Sequence, residues 1–137
     1  MTYHLSDATL EFFESHFNQV NSAVYRPQRE LSIDELSYPY KGRSKHRCYN
    51  PLKPAKWHLR FYGFNDSSQF LYKVHFYWDS KEKKKTIPDL ISSFLNSLDP
   101  TRGPSRIFAD NYYGGLESIR LANKIDHPLY IYIYIFF

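Results

Sequence analysis

Two short apolar runs, 76 residues apart, each close on an aspartate, and together they constrain the fold more than any other feature. The first, Leu31-Ser32-Ile33-Asp34-Glu35-Leu36, is followed by Tyr40-Lys41-Gly42-Arg43, a glycine turn flanked by two cations. The second is Arg106-Ile107-Phe108-Ala109-Asp110-Asn111-Tyr112-Tyr113, whose continuous apolar centre is the pattern of a strand buried on both faces. An aspartate at a strand end is often only a turn or cap residue. Two of them on separate strands also have the form of half a metal site, because hard divalent cations take carboxylate oxygens from different elements. Strand alternation turns Glu35 away from Asp34, so it reads as an ion-pair partner for nearby cations.

The rest of the chain supplies the layers around these strands. Leu10, Phe13, Phe17 and Val20 recur at helical spacing with Ser6 or Asp7 to cap them, which predicts a helix over about residues 7 to 21. Pro27 leads into a first strand at about 29 to 35. Residues 37 to 56 hold Pro39, Pro51 and Pro54 among Lys41, Arg43, Lys45, Arg47, Lys53 and Lys56 and read as a basic loop. Trp57 to Phe64 and Phe70 to Trp78, joined through Asn65-Asp66-Ser67-Ser68, read as a hairpin, with Phe70, Tyr72, Val74, Phe76 and Trp78 on one face. The charge run Lys81 to Lys85 is read as a solvated turn. Thr86 and Asp89 form a capping box ahead of the stripe Ile87, Leu90, Ile91, Phe94, Leu95 and Leu98, a helix with one apolar face. A last short helix is expected over about Leu116 to Lys124.

The global numbers bound the function classes. With 137 residues the chain has the length of one domain. Eighteen Lys and Arg against fourteen Asp and Glu give a formal charge of +4, a mild tilt towards a polyanionic partner. The single cysteine, Cys48, excludes an intrachain disulfide and a multi-cysteine zinc site, and His46 with Cys48 is too sparse for zinc. No secretion signal and no run of the roughly 20 apolar residues that span a bilayer is visible, so the expectation is a soluble, intracellular protein with no membrane partner. Aromatics make up 19% of the chain, and most are expected in a β-rich core; His58 and His75, on the hairpin, are read as structural.

The order helix, strand, hairpin, helix, strand, helix, with an aspartate closing the first strand and the one after the second helix, is that of an RNase H-like α/β fold. Four patches sharpen it: Glu30-Leu31-Ser32-Ile33-Asp34-Glu35, Tyr40-Lys41-Gly42-Arg43, Lys53-Pro54-Ala55-Lys56-Trp57, and Ala109-Asp110-Asn111-Tyr112-Tyr113 with Leu116-Glu117. In order and at matching spacing from about residue 10 to 125, they resemble the catalytic domain of piggyBac-family DNA transposases. The resemblance implies a cut-and-paste transposase ancestry, Mg²⁺ with Mn²⁺ as substitute, DNA as partner, a nuclear location and a homodimer in the family context. It matches Asp34 and Asp110 to two of three metal-binding aspartates and places Lys41, Arg43, Lys45, Lys53 and Lys56 along DNA phosphates.

The resemblance is partial. The family's third aspartate lies far downstream on a later helix, whereas only 27 residues follow Asp110 here, and their carboxylates, Glu117 and Asp126, are not on that element. The expectation is therefore an incomplete RNase H-like fold, a mixed sheet of about four strands with flanking helices over residues 1–127, catalytically incompetent by itself. The alternatives are a working transposase, a domesticated module that binds DNA or protein, and an inactive remnant. The Ile/Tyr-rich residues 128–137 look unrelated to the rest: alternating Ile and Tyr is what an AT repeat encodes, although the same residues also suit an added edge strand.

Overall fold

The computed structural model describes residues 5–132. They form α1 (Asp7–Val24), β1 (Glu30–Pro39), β2 (Cys48–Tyr49), β3 (Trp57–Asp66), β4 (Leu71–Phe76), α2 (Ile87–Asn96), β5 (Arg106–Asp110), α3 (Leu116–Lys124) and β6 (Leu129–Tyr132). Hydroxyl caps set two helix starts. Ser6 accepts from the Thr9 amide at α1, and Thr86 accepts from the Asp89 amide at 3.3 Å while its own hydroxyl donates to the Asp89 carboxylate at 2.7 Å. No helix among the described residues is long and apolar enough to cross a membrane.

β1 is the centre of the sheet. It pairs antiparallel with β3 from Leu31 opposite Asp66 to Pro39 opposite His58, and parallel with β5 from Glu30 opposite Arg106 to Ile33 opposite Ala109. β4 and the short β2 lie along the far edge of β3, and β6 runs parallel to β5 on the other flank. The result is the expected mixed sheet, antiparallel on one side of β1 and parallel on the other.

Helices cover both faces. On one, the α2 stripe Leu90, Ile91, Phe94, Leu95 and Leu98 packs with Ala122 of α3 onto Leu31, Ile33, Phe64, Ile107 and Ala109. On the other, Leu10 and Phe17 of α1 pack onto Leu59, Phe61, Val74, Phe76 and Trp78. Only part of the α1 stripe is buried: Phe13 meets Phe61 edge-on but stays half exposed, and Val20 is exposed. The helix instead docks through polar side chains on the main chain of β4. Glu14 accepts from the Phe76 amide, Asn18 exchanges two hydrogen bonds with Val74, and Asn21 donates to the Leu71 and Tyr72 carbonyls. Those contacts close an otherwise open sheet edge.

Four expectations need correction. β1 continues to Pro39, because β3 offers it a partner for its whole length. The basic segment is not all loop, since Cys48–Tyr49 pairs with β3. Alternation on β4 breaks: the ladder slips at Phe64/Asn65, so Tyr72 joins the α2 side of the sheet while Val74 and Phe76 stay on the α1 side. Finally, the sheet has six strands rather than about four. A boundary after residue 127 would fall just before β6, whose Leu129 to Tyr132 pair with Ile107 to Asp110. The physical reason is the same β-prone, uncharged composition that made the segment look foreign. Residues 133–137 lie outside the described residues.

Candidate metal and DNA site

Asp34 and Asp110 are brought together by strand register. The parallel ladder runs through Ile33 opposite Ala109, so the two aspartates occupy the next positions on neighbouring strands, which lie roughly 5 Å apart. Leu31, Ile33, Ile107 and Ala109 point into the core under α2 and α3, so alternation turns both carboxylates to the opposite face, where both are exposed. Asp34 lies mid-strand, not at its end. What ends there is its neighbour: Asp110 closes β5, and its Oδ1 accepts from the Tyr112 amide at 2.9 Å to start a 3₁₀ turn. The Oδ1 of Asp34 accepts from the Glu35 amide at 2.7 Å.

That turn drops Tyr113 into the core, where it is 1% exposed. Burial pushes its phenol far up, and the negative charges of Asp34 and then Asp110 push the same way. Tyr113 thus stays a neutral phenol within the core under α2 and α3. Two hard oxygen donors on adjacent strands suit a Mg²⁺ or Mn²⁺ ion that keeps several waters. Among the described residues no group of three His, Cys, Asp or Glu side chains is placed to enclose a metal. The residues present therefore fit one face of a divalent site and not a closed one. Glu117, in the first turn of α3, is exposed.

The five cations of the expected DNA track divide. Lys41, Arg43 and Lys56 are exposed and make no ion pair among the described residues. Gly42 between the first two has a structural reason, for the Tyr40 ring lies where a Cβ would stand. Lys45 is largely exposed and reaches Asp7 at 3.5 Å. Lys53 differs: its Nζ lies 3.1 Å from Glu35 and donates to Ser37 at 2.8 Å. Arg60 binds the other oxygen of Glu35 at 2.6 Å. Burial pushes the Glu35 carboxyl up, but Arg60 and Lys53 outweigh it and hold it below the usual range. Glu35 thus points away from Asp34 as alternation requires, and Lys53 is its structural counterion.

Three histidines have partners within the fold. His58 is buried with its Nδ1 3.2 Å from the Ala55 carbonyl, His75 lies 2.8 Å from Glu14, and His46 lies 2.7 Å from Asp7. Sequence reasoning missed a surface cluster of Arg47, Tyr49 and Trp57 at the other end of the same sheet face. The signal was there in Trp57 closing a cation-rich segment.

Comparison with known proteins fits this geometry. A family model described as Transposase IS4 matches residues 8–127. No curated protein sequence matches the chain. Among solved structures, the piggyBac transposase synaptic complex with hairpin DNA, determined by cryo-EM, matches with a TM-score of 0.70 and 22% identity. The match covers 90% of this chain and 26% of that one, so the chain spans about a quarter of that transposase and shares its fold. The simian T-cell lymphotropic virus intasome in complex with PP2A regulatory subunit B56 gamma matches at a TM-score of 0.44 and 20% identity, over 79% of this chain and 33% of that one, too distant in shape to carry an argument. With 120 of its residues matched by that family model (8 through 127) and the RNase H-like sheet in place, the chain belongs to the Transposase IS4 family.

Proposed function

We propose that Asp34 and Asp110 are two of the metal-binding carboxylates of a transposase-derived site for DNA phosphodiester chemistry, and that residues 5–132 by themselves hold DNA without cutting it. The observation that carries this reading is the placement of the two aspartates at successive register positions on one exposed face. A divalent ion held by Asp34 and Asp110 would supply charge neutralisation at a phosphate and a more nucleophilic oxygen. The protein's part is positional. Asp34 and Asp110 would hold the ion on the β1–β5 pair, and Lys41, Arg43, Lys45 and Lys56 would attract the phosphates. Two carboxylates leave most of the coordination of a two-ion site to other groups, which is why cutting is not expected of these residues alone. On this reading the chain acts in the nucleus, and a homodimer is the family-context arrangement.

The test is calorimetric titration with Mg²⁺ and Mn²⁺, beside a nicking assay on a DNA duplex. Weak Mn²⁺ binding that Asp34→Asn and Asp110→Asn each abolish, with no nicking, is the expected result. Metal-dependent nicking lost in Asp34→Asn would replace it with a working enzyme. A second reading, a domesticated module that binds DNA with no role for metal, is favoured by Lys41, Arg43 and Lys56 standing exposed and unpaired among the described residues. It predicts salt-sensitive duplex binding that is the same with and without Mg²⁺ and unchanged in Asp34→Asn.

A further inference from the structure

At the β2–β3 end of the sheet three side chains cluster in the open, the Tyr49 and Trp57 rings inclined at 45° to each other. Tyr49 pairs directly with Trp57, their ring centroids 4.7 Å apart, and the Arg47 guanidinium lies 4.2 Å from the centre of the Trp57 ring. Tyr49 is 55% and Trp57 47% exposed, although aromatic residues of this size are usually buried. Both flanking loops are tied to the cluster. Arg47 donates to the Gly42 carbonyl at 3.2 Å, and the Asn50 amide donates to the Lys56 carbonyl at 2.8 Å. Those loops carry Lys41, Arg43 and Lys56, the cations without ion pairs among the described residues.

We propose that the Arg47–Trp57–Tyr49 stack is a platform for the bases of single-stranded DNA, with Lys41, Arg43 and Lys56 holding the flanking phosphates. Exposed aromatic rings interleaved with cations are what an unpaired strand requires, since each base has a π-face to stack and each phosphate a charge to neutralise. A duplex, with its bases already stacked, gains only the second of these. The position agrees. Trp57 is two residues from Leu59 and four from Phe61, which face α1, so it stands on the sheet face that carries Asp34. Asp34 pairs with Gly63, six residues along β3 from Trp57, roughly 20 Å. That is the length of about six stacked nucleotides at 3.4 Å each. Between them Leu59 and Phe61 lie under α1, so the open route from the stack to the carboxylates on this face runs along β1, past the exposed Tyr38. The proposal rests on the DNA-binding reading above and adds the kind of DNA that the face prefers.

The test compares affinity for a twelve-nucleotide oligo-dT and for a duplex of equal length, in wild type, Trp57→Ala, Tyr49→Ala and a Lys41→Ala/Lys56→Ala double variant. Each aromatic variant is expected to lose about tenfold on oligo-dT and little on duplex. The double lysine variant should weaken both, with a shallower salt dependence. Tyr49→Ala is the second informative change, for Tyr49 is on a two-residue edge strand and its replacement leaves β3 intact. Wild type that binds duplex, with aromatic variants that lose nothing on oligo-dT or lose equally on both, overturns the platform and leaves DNA binding standing. Wild type that binds neither overturns both. Variants that melt earlier yet bind as wild type make the stack a loop staple and overturn it as well.

Discussion

Asn18 on α1 exchanges two hydrogen bonds with the main chain of Val74, donating to its carbonyl at 2.8 Å and accepting from its amide at 2.9 Å. The side-chain amide thus does for the edge of β4 what another strand would do. Asn18→Ala removes both bonds and reopens the edge, at a cost of about 2 kcal/mol. A lower urea midpoint with increased self-association at high protein concentration is the expected result. An unchanged midpoint would mean that water replaces the side chain without penalty.

Asp34 and Asp110 set two like charges on neighbouring strands, an arrangement that destabilises a sheet. Asp34→Asn or Asp110→Asn is therefore expected to raise stability by about 0.5 kcal/mol in the absence of divalent ions. Millimolar-range Mn²⁺ should stabilise the wild type and neither variant, as a ligand of the folded state does. Thermal melts with and without Mn²⁺ read both effects. If the Asn variants melt below wild type, the carboxylates are structural caps and the site reading fails.

Lys53 and Lys56 are three positions apart and should behave differently. Lys53 is engaged with Glu35 and Ser37, whereas Lys56 is exposed. Lys56→Ala is expected to reduce the salt dependence of DNA binding by about one phosphate contact. Lys53→Ala should leave that slope nearly unchanged and lower the melting temperature instead, because Glu35 keeps only Arg60. Equal slopes for the two variants would show that Lys53 leaves Glu35 when DNA arrives.

Asp66 gives the fold a defined acid limit. The residue is 4% exposed, and it accepts from the Tyr25 and Ser68 hydroxyls and from the amides of Gln28, Ser68 and Phe70. Burial pushes its carboxyl up, but the bonds from Ser68, Tyr25 and Gln28 outweigh this and hold it at about 2. A folded value below the ordinary one adds stability above about pH 4, and the contribution is lost as pH falls towards 2. Asp7, held at about 2 chiefly by its hydrogen bond from His46, titrates in the same window. The informative quantity is therefore the difference between wild type and Asp66→Asn. The variant should be less stable at pH 7, with a gap that closes between pH 4 and pH 2. A gap independent of pH would mean that the anion itself contributes nothing.

What the sequence made legible is what depends on one element at a time. The α2 stripe, its capping box, the hairpin and the two strand-borne aspartates each follow from local periodicity, and all are present. What it hid depends on partners. The end of β1 is set by β3, the face of Tyr72 by a slipped register, and the role of Lys53 by Glu35 on another element. The α1 helix is present as its periodicity predicts, and only its docking was hidden. Its apolar positions were visible, but Glu14, Asn18 and Asn21 matter because a strand edge lies opposite them, and no periodicity announces that.

The Ile/Tyr run is the hardest of these cases, because two opposite readings share one composition. In the structure Leu129 is 9% exposed and opposite Ile107, and the Ile107 amide donates to the Pro128 carbonyl at 2.9 Å. Ile131 lies against Gly114, where an added Cβ would come within 3.1 Å of it. β6 is thus packed against the same turn that carries Asp110 and Tyr113. If it is part of the cooperative unit, Leu129→Ala costs about 2 kcal/mol by emptying a core position. Gly114→Ala should cost less, about 1 kcal/mol, by pushing Ile131 aside. Both should also loosen the end of β5, seen as faster hydrogen exchange at the Ala109 and Asp110 amides. Wild-type stability in Leu129→Ala would mean that the strand is an appendage, that β5 is an open edge in solution, and that Asp110 stands on the least protected strand of the sheet.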